Sequence, residues 1–258
     1  MLEAAFWGFA GASSLLIGAV IGAKTRLPPL AIGLILGFGA GTLVSAVAFE
    51  LTEEAFALGG ADTVALGLAL GGIAYFLGTV AIAKRGGADR MGSSDRDDAD
   101  SSTALLLGAV LDGIPESVVI GITLIGGGSV GAPFLAAVFL SNLPESISSS
   151  QGMCGQGKSL GTVLRTWAIV VLASTAAAAV GFGLLDGASD DLIGLIQAFA
   201  GGAVLTMLAD TMFPEAYLHV RGDPKVKRTR EARPWWESTV GLFTTLGFAL
   251  AYLLSTLD

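Results

Sequence analysis

One cysteine, one histidine and a charged fraction of only 14% mark this 258-residue chain. A lone Cys154 excludes an internal disulfide. No nucleotide-binding motif is present, which argues against ATP-driven work. An excess of basic residues is also missing. The net charge is −8 and the isoelectric point near 4.6, a balance that argues against nucleic-acid binding. The opening Met-Leu-Glu-Ala lacks the basic region of a cleaved signal peptide, so the first apolar run is expected to be a retained span.

In place of charge there is apolar sequence. Hydrophobic residues make up 53%, mean hydropathy is +0.72, and 37 residues are glycine. A soluble domain carries roughly 25% charged residues. Here apolar runs of bilayer-crossing length recur along the chain, and glycine is common where membrane helices pack closely. Eight segments are predicted: 4–23, 28–50, 63–83, 103–125, 132–151, 163–185, 191–217 and 237–256. The whole chain, 1–258, reads as one all-α transmembrane domain.

All 14 Lys and Arg fall in or at the edge of alternate connections, after spans 1, 3, 5 and 7, with Arg165 at the start of span 6. The other connections hold acids or glycine. The positive-inside rule then places the basic connections in the cytoplasm and both termini outside, in the plasma membrane. The connection RGGADRMGSSDRDDADSS is polar and Asp-rich. Residues 86–102 are expected to be a disordered cytoplasmic loop, either a plain solvated linker or a metal-attracting one. Trp235 and Trp236 fit an interfacial anchor at the start of span 8.

Spans 4 and 5 carry the chemistry. Span 4 contains Asp112-Gly113-Ile114-Pro115-Glu116-Ser117, and span 5 contains Ser141-Asn142-Leu143-Pro144-Glu145-Ser146. Asp112 and Glu116 are four apart, as are Ser141 and Glu145, so each pair shares a helix face. Each proline removes a backbone donor and frees the carbonyl one turn back, at Leu111 and Leu140. Spans 4 and 5 are therefore expected to be broken, as transporter helices are around ion sites. An ionised carboxylate at mid-bilayer costs about 2.5–3.5 kcal/mol on insertion scales. No Lys or Arg lies in these spans to pair with it. The acids must be protonated, hydrated or neutralised by a bound cation. Asp112, Glu116 and Glu145, with Asn142 and Ser141 adding neutral oxygens, would make a hard, oxygen-rich site. The bland alternative is a set of protonated structural acids bonded across helices.

Spans 2 and 7 repeat one another at a constant offset in the chain. Phe38, Gly41, Ala48 and Glu54-Ala55 match Phe199, Gly202, Ala209 and Glu215-Ala216. With the spans running in opposite directions this is an inverted repeat, a frequent transporter design. Glu50 and Asp210 would stand near opposite mouths as entry and exit relays, or simply be helix-end acids facing water. His219 is a release-site ligand or an interfacial surface histidine. Cys154 is expected to be structural or incidental.

These features resemble the ZIP family of divalent metal transporters, near its bacterial and archaeal branch, and the resemblance covers nearly the whole chain. It rests on eight spans with outside termini, the variable loop after span 3, and the segments FGAGTLVSAVAFELTEEAF and FAGGAVLTMLADTMFPEAY. The family's span 4 and 5 motifs usually read His-Asn-x-Pro-Glu-Gly or a near variant, where this chain has DGIPES and SNLPES. The resemblance implies a 3+2+3 arrangement of spans and a possible homodimer. It implies movement of a divalent cation toward the cytoplasm by alternating access, with no covalent chemistry, so the protein is not expected to be an enzyme. Glu116 and Glu145 match the family's metal-bridging glutamates, and Asn142 its polar ligand in span 5. Asp112 and Ser141 stand where histidine is usual, and Asp210 where span 7 often has one. Span 6 offers only Ser174 and Thr175, which leaves a second metal site incomplete. Loss of imidazoles moves ligation toward oxygen, which favours Mn²⁺, Mg²⁺ or Fe²⁺ over softer ions, with Zn²⁺ still accepted. Two other classes remain: a non-transporting metal sensor or degenerate scaffold, and a proton-coupled carrier of a small organic solute.

Overall fold

The computed structural model describes residues 1–84, 98–125, 128, 130–221 and 238–256, with 98–107 described by their backbone alone. Every regular element among them is helical. These are α1 (Leu2–Lys24), α2 (Pro29–Ala46), α3 (Thr52–Ile82), α4 (Asp98–Ile122), α5 (Ala132–Gly155), α6 (Leu160–Leu185), α7 (Asp190–Met207), α8 (Phe213–Arg221) and α9 (Thr239–Ser255). A π turn at Val47–Leu51 joins α2 to α3, and a second at Leu208–Met212 joins α7 to α8.

Four helical runs are long and apolar enough to cross a membrane: Leu2–Lys24, Pro29–Ile82, Leu160–Leu185 and Asp190–Arg221. The second run, 54 residues long, is interrupted inside α3 at Gly60, where φ is 72° and ψ is −175°. Side chains other than glycine rarely adopt that backbone, so the chain turns there. The helix from Pro29 thus extends past residue 50, where the sequence suggested its end, and carries Glu53 and Glu54 within it. α4 likewise starts earlier than expected, at Asp98. The rest of the predicted cytoplasmic loop, 86–97, lies outside the described residues, as do Trp235 and Trp236.

The distribution of polarity is inverted relative to a soluble protein. Phe6, Phe9, Leu66, Leu70, Ile73, Leu172, Leu184, Leu246 and Leu253 are exposed, while Ser14, Thr42, Ser45, Ser146, Ser150 and Gln197 are buried. Soluble surfaces rarely present such continuous apolar area; lipid does not penalise it. Together with the four long apolar helices, this fits a membrane protein.

Glycine sets the packing, and it does so in matched pairs. A methyl at Gly41 of α2 would lie 1.9 Å from the Thr244 carbonyl of α9, and one at Gly247 of α9 would lie 2.0 Å from the Phe38 carbonyl of α2. The second copy of the repeat does the same. A methyl at Gly202 of α7, the counterpart of Gly41, would meet the Leu68 carbonyl of α3 at 2.1 Å, and one at Gly71 would meet the Phe199 carbonyl at 1.8 Å. No Cβ fits at such distances, so these helices touch backbone to backbone. α1 and α6 repeat the relation against α5 and α4, with Gly22 on Ile147 and Gly181 on Val118. The two π turns also coincide in the repeat, Val47 matching Leu208 and Leu51 matching Met212.

Candidate functional site

α4 and α5 meet at α1, where Gly11 faces Ile120 of α4 and both Leu135 and Val138 of α5. Pro115 and Pro144 lie inside these helices, which continue through them. The expected breaks are therefore missing hydrogen bonds, not interruptions. The serine two residues after each proline makes the same bond in both helices. Ser117 Oγ donates to the Gly113 carbonyl at 2.7 Å, and Ser146 Oγ to the Asn142 carbonyl at 3.0 Å. Back-bonding of this kind competes with the helix's own ladder and favours a bend. The carbonyl freed by Pro144 belongs to Leu140 and approaches α2. A methyl at Gly39 would sit 3.2 Å from it and 3.4 Å from Met212 of the second π turn.

Asp112, Glu116, Ser141 and Asn142 are all buried, and Glu145 is half-buried. Glu116 is 2% exposed, and its Oε2 has no hydrogen-bond partner among the described residues. No Lys or Arg among the described residues is buried. Ser141 Oγ donates to the Val138 carbonyl at 3.0 Å, which leaves its lone pairs available. The structure thus brings these polar groups into the interior. It does not bring the three acids together as one ligand set. Among the described residues, no group of three or more His, Cys, Asp or Glu side chains is spaced to hold a metal ion.

Asp112 has a partner that its own helix did not suggest. Tyr75 of α3, 2% exposed, donates its hydroxyl to Asp112 Oδ1 at 2.5 Å. The same phenol oxygen lies 3.3 Å from Thr211 Oγ1, in the second π turn.

The predicted pathway residues separate. Glu50 is in the first π turn, half-buried, with Oε2 3.3 Å from where a methyl at Gly131 would stand. Gly131 caps α5, so this acid sits at the positive end of that helix. Asp210 lies in the second π turn and is exposed. π turns are rare and concentrate at functional sites. His219 of α8 is half-buried, with Nε2 2.9 Å from Ser148 Oγ, one turn beyond Glu145 on α5. Cys154 is a free, half-buried thiol at the end of α5.

No family model matches the chain, and no curated protein matches it.

Sequence reasoning passed over Tyr75, Thr211, Ser148 and Gln197. In its apolar run Tyr75 is one more large residue, beside Phe76. Its signal was indirect, since an acid at mid-span calls for a donor and α3 holds few. Gln197 is fully buried in α7, and neither amide atom has a partner among the described residues.

Proposed function

We propose that this protein is a ZIP-like carrier that moves a divalent cation across the plasma membrane toward the cytoplasm. The observation that carries the reading is Glu116, a buried acid with an unpartnered oxygen among the described residues. It shares a helix face with Asp112, next to a proline and away from any buried base among the described residues. An uncompensated carboxylate in this environment is costly, and a cation relieves that cost while gaining oxygen ligands. Asp112 and Glu116 on α4 form the resident half of the site. Ser141, Asn142 and Glu145 on α5 supply the other half when the two helices close on the ion. Hard ligands favour Mn²⁺, Fe²⁺ or Mg²⁺, with Zn²⁺ accepted.

In this reading the membrane is crossed eight times, with Gly60 dividing the second span from the third and both termini outside. The arrangement is 3+2+3, one half inverted on the other. The paired glycine contacts and the matched π turns support it. Glu50 and Asp210 serve opposite mouths. His219 with Ser148 lies on the cytoplasmic exit from Glu145. The protein performs no covalent chemistry, and a homodimer is part of the reading.

The missing histidines motivate a second reading, a metal-sensing membrane protein on the same frame that binds without flux. One experiment separates the two. Reconstituted wild type, Glu116→Gln and Glu145→Gln are compared for Mn²⁺ binding and Mn²⁺ uptake. The carrier reading expects both activities in wild type and loss of uptake in each variant at unchanged folded yield. Binding without uptake in wild type favours the sensor, and normal uptake by Glu116→Gln removes the site.

A further inference from the structure

We propose that Tyr75 is a positioning residue for the cation site, holding Asp112 in register through a hydrogen-bond chain that begins at Thr211 in the second π turn. The inference rests on the carrier reading. A phenol has one proton. Tyr75 Oη gives it to the bond with Asp112 Oδ1 at 2.5 Å, because the carboxylate can only accept. The contact of 3.3 Å to Thr211 is then made with the threonine hydroxyl as donor and the phenol oxygen as acceptor. The chain has a direction: Thr211 to Tyr75 to Asp112. It fixes Oδ1, and with it the rotation of the carboxyl group. It also connects three separate elements, α3, α4 and the π turn, so the widened turn of helix presents Thr211 to the site.

The internal repeat gives an independent argument. The contacts of Leu68 and Gly71 with α7 recur as those of Thr244 and Gly247 with α2. The same register pairs Tyr75 with Ala251, which is also buried. Superposing the two Pro-Glu-Ser motifs, Pro115 on Pro144 and Glu116 on Glu145, pairs Asp112 with Ser141. The acid and its phenol donor occur together in one half and are both missing from the other. That is the arrangement expected if the phenol serves the acid. Outer hydrogen bonds to a ligating carboxylate typically govern its metal affinity about 10–100-fold.

The test is Mn²⁺ uptake by the full-length protein in vesicles, with KM and maximal rate measured separately. Tyr75→Phe keeps the ring and is expected to raise KM about 10–100-fold, with folded yield and maximal rate near wild type. Thr211→Val should raise KM by a smaller factor, about two- to threefold on the scale of one weak neutral hydrogen bond. Because Thr211 acts through the phenol, the double variant should be no worse than Tyr75→Phe alone. An unchanged KM in Tyr75→Phe, or losses that multiply in the double variant, overturns the inference while leaving the carrier reading in place. If Tyr75→Phe fails to fold, an unchanged KM in Thr211→Val overturns it. Absence of uptake by wild type overturns both.

Discussion

Replacing Glu116 with glutamine separates a cation-binding acid from a structural one, because only the first makes stability depend on added cation. The side chain is 2% exposed, and Oε2 has no partner among the described residues. An ionised carboxylate at this depth costs about 2.5–3.5 kcal/mol. A buried amide with an unmet polar atom costs about 1–3 kcal/mol. Without a divalent cation wild type escapes that cost by protonation or hydration, so Glu116→Gln is expected to match it to within about 1 kcal/mol. With Mn²⁺ at about 100 times its dissociation constant, wild type gains about 2.7 kcal/mol by mass action, and the variant gains none. For a chain of this size that gain is a rise of roughly 5–10 °C in midpoint. Thermal unfolding in detergent, with and without Mn²⁺, reads both quantities. A variant that melts well below wild type without cation, while Mn²⁺ leaves wild type unshifted, would show that Glu116 holds the fold together and binds nothing.

Other sites give independent checks. Gly71→Ala places a methyl 1.8 Å from the Phe199 carbonyl and is expected to cost about 1–3 kcal/mol or more, the cost of overpacking a core; Gly241→Ala, with nothing near, should be neutral or stabilising in the same melt. Gln197→Leu removes two unsatisfied buried atoms and should raise stability by about 1–3 kcal/mol; a fall would mean that the amide is satisfied in the folded protein. Thr52→Val removes the 2.6 Å bond from Thr52 Oγ1 to the Val47 carbonyl, which braces the first π turn, and should cost about 0.5–1.5 kcal/mol in a denaturation midpoint. Ser148→Ala should slow Mn²⁺ uptake a few-fold with little change in KM, the signature of an exit step; a change in KM alone would place His219 elsewhere in the path.

Periodicity and composition carried the helical character, because apolar runs of this length have few other solutions. The polar residues of the Pro-Glu-Ser motifs were legible as interior because each motif lies near the middle of its apolar run. The extent of the helix from Pro29 was not. Glu53 and Glu54 read as the edge of a connection, yet both are good helix formers, and the true stop is the backbone of Gly60. The π turns were invisible, since one extra residue in a turn leaves no mark in an apolar pattern; only the recurrence of span 2 in span 7, seen first in Phe38 and Phe199, hinted that two such features would match. Proline was over-read: one missing backbone donor does not end a membrane helix, and α4 and α5 run on through Pro115 and Pro144. The Tyr75–Asp112 bond joins side chains on different helices, a pairing that no local spacing encodes.

Uptake by purified protein in sealed vesicles, across Zn²⁺, Fe²⁺, Mn²⁺, Cd²⁺ and Mg²⁺ at two pH values, tests the central claim most directly. The oxygen-rich interior predicts saturable accumulation with Mn²⁺ or Fe²⁺ ahead of Cd²⁺, abolished by Glu116→Gln. No accumulation of any of the five ions above empty vesicles, from protein that is folded and correctly inserted, would contradict it.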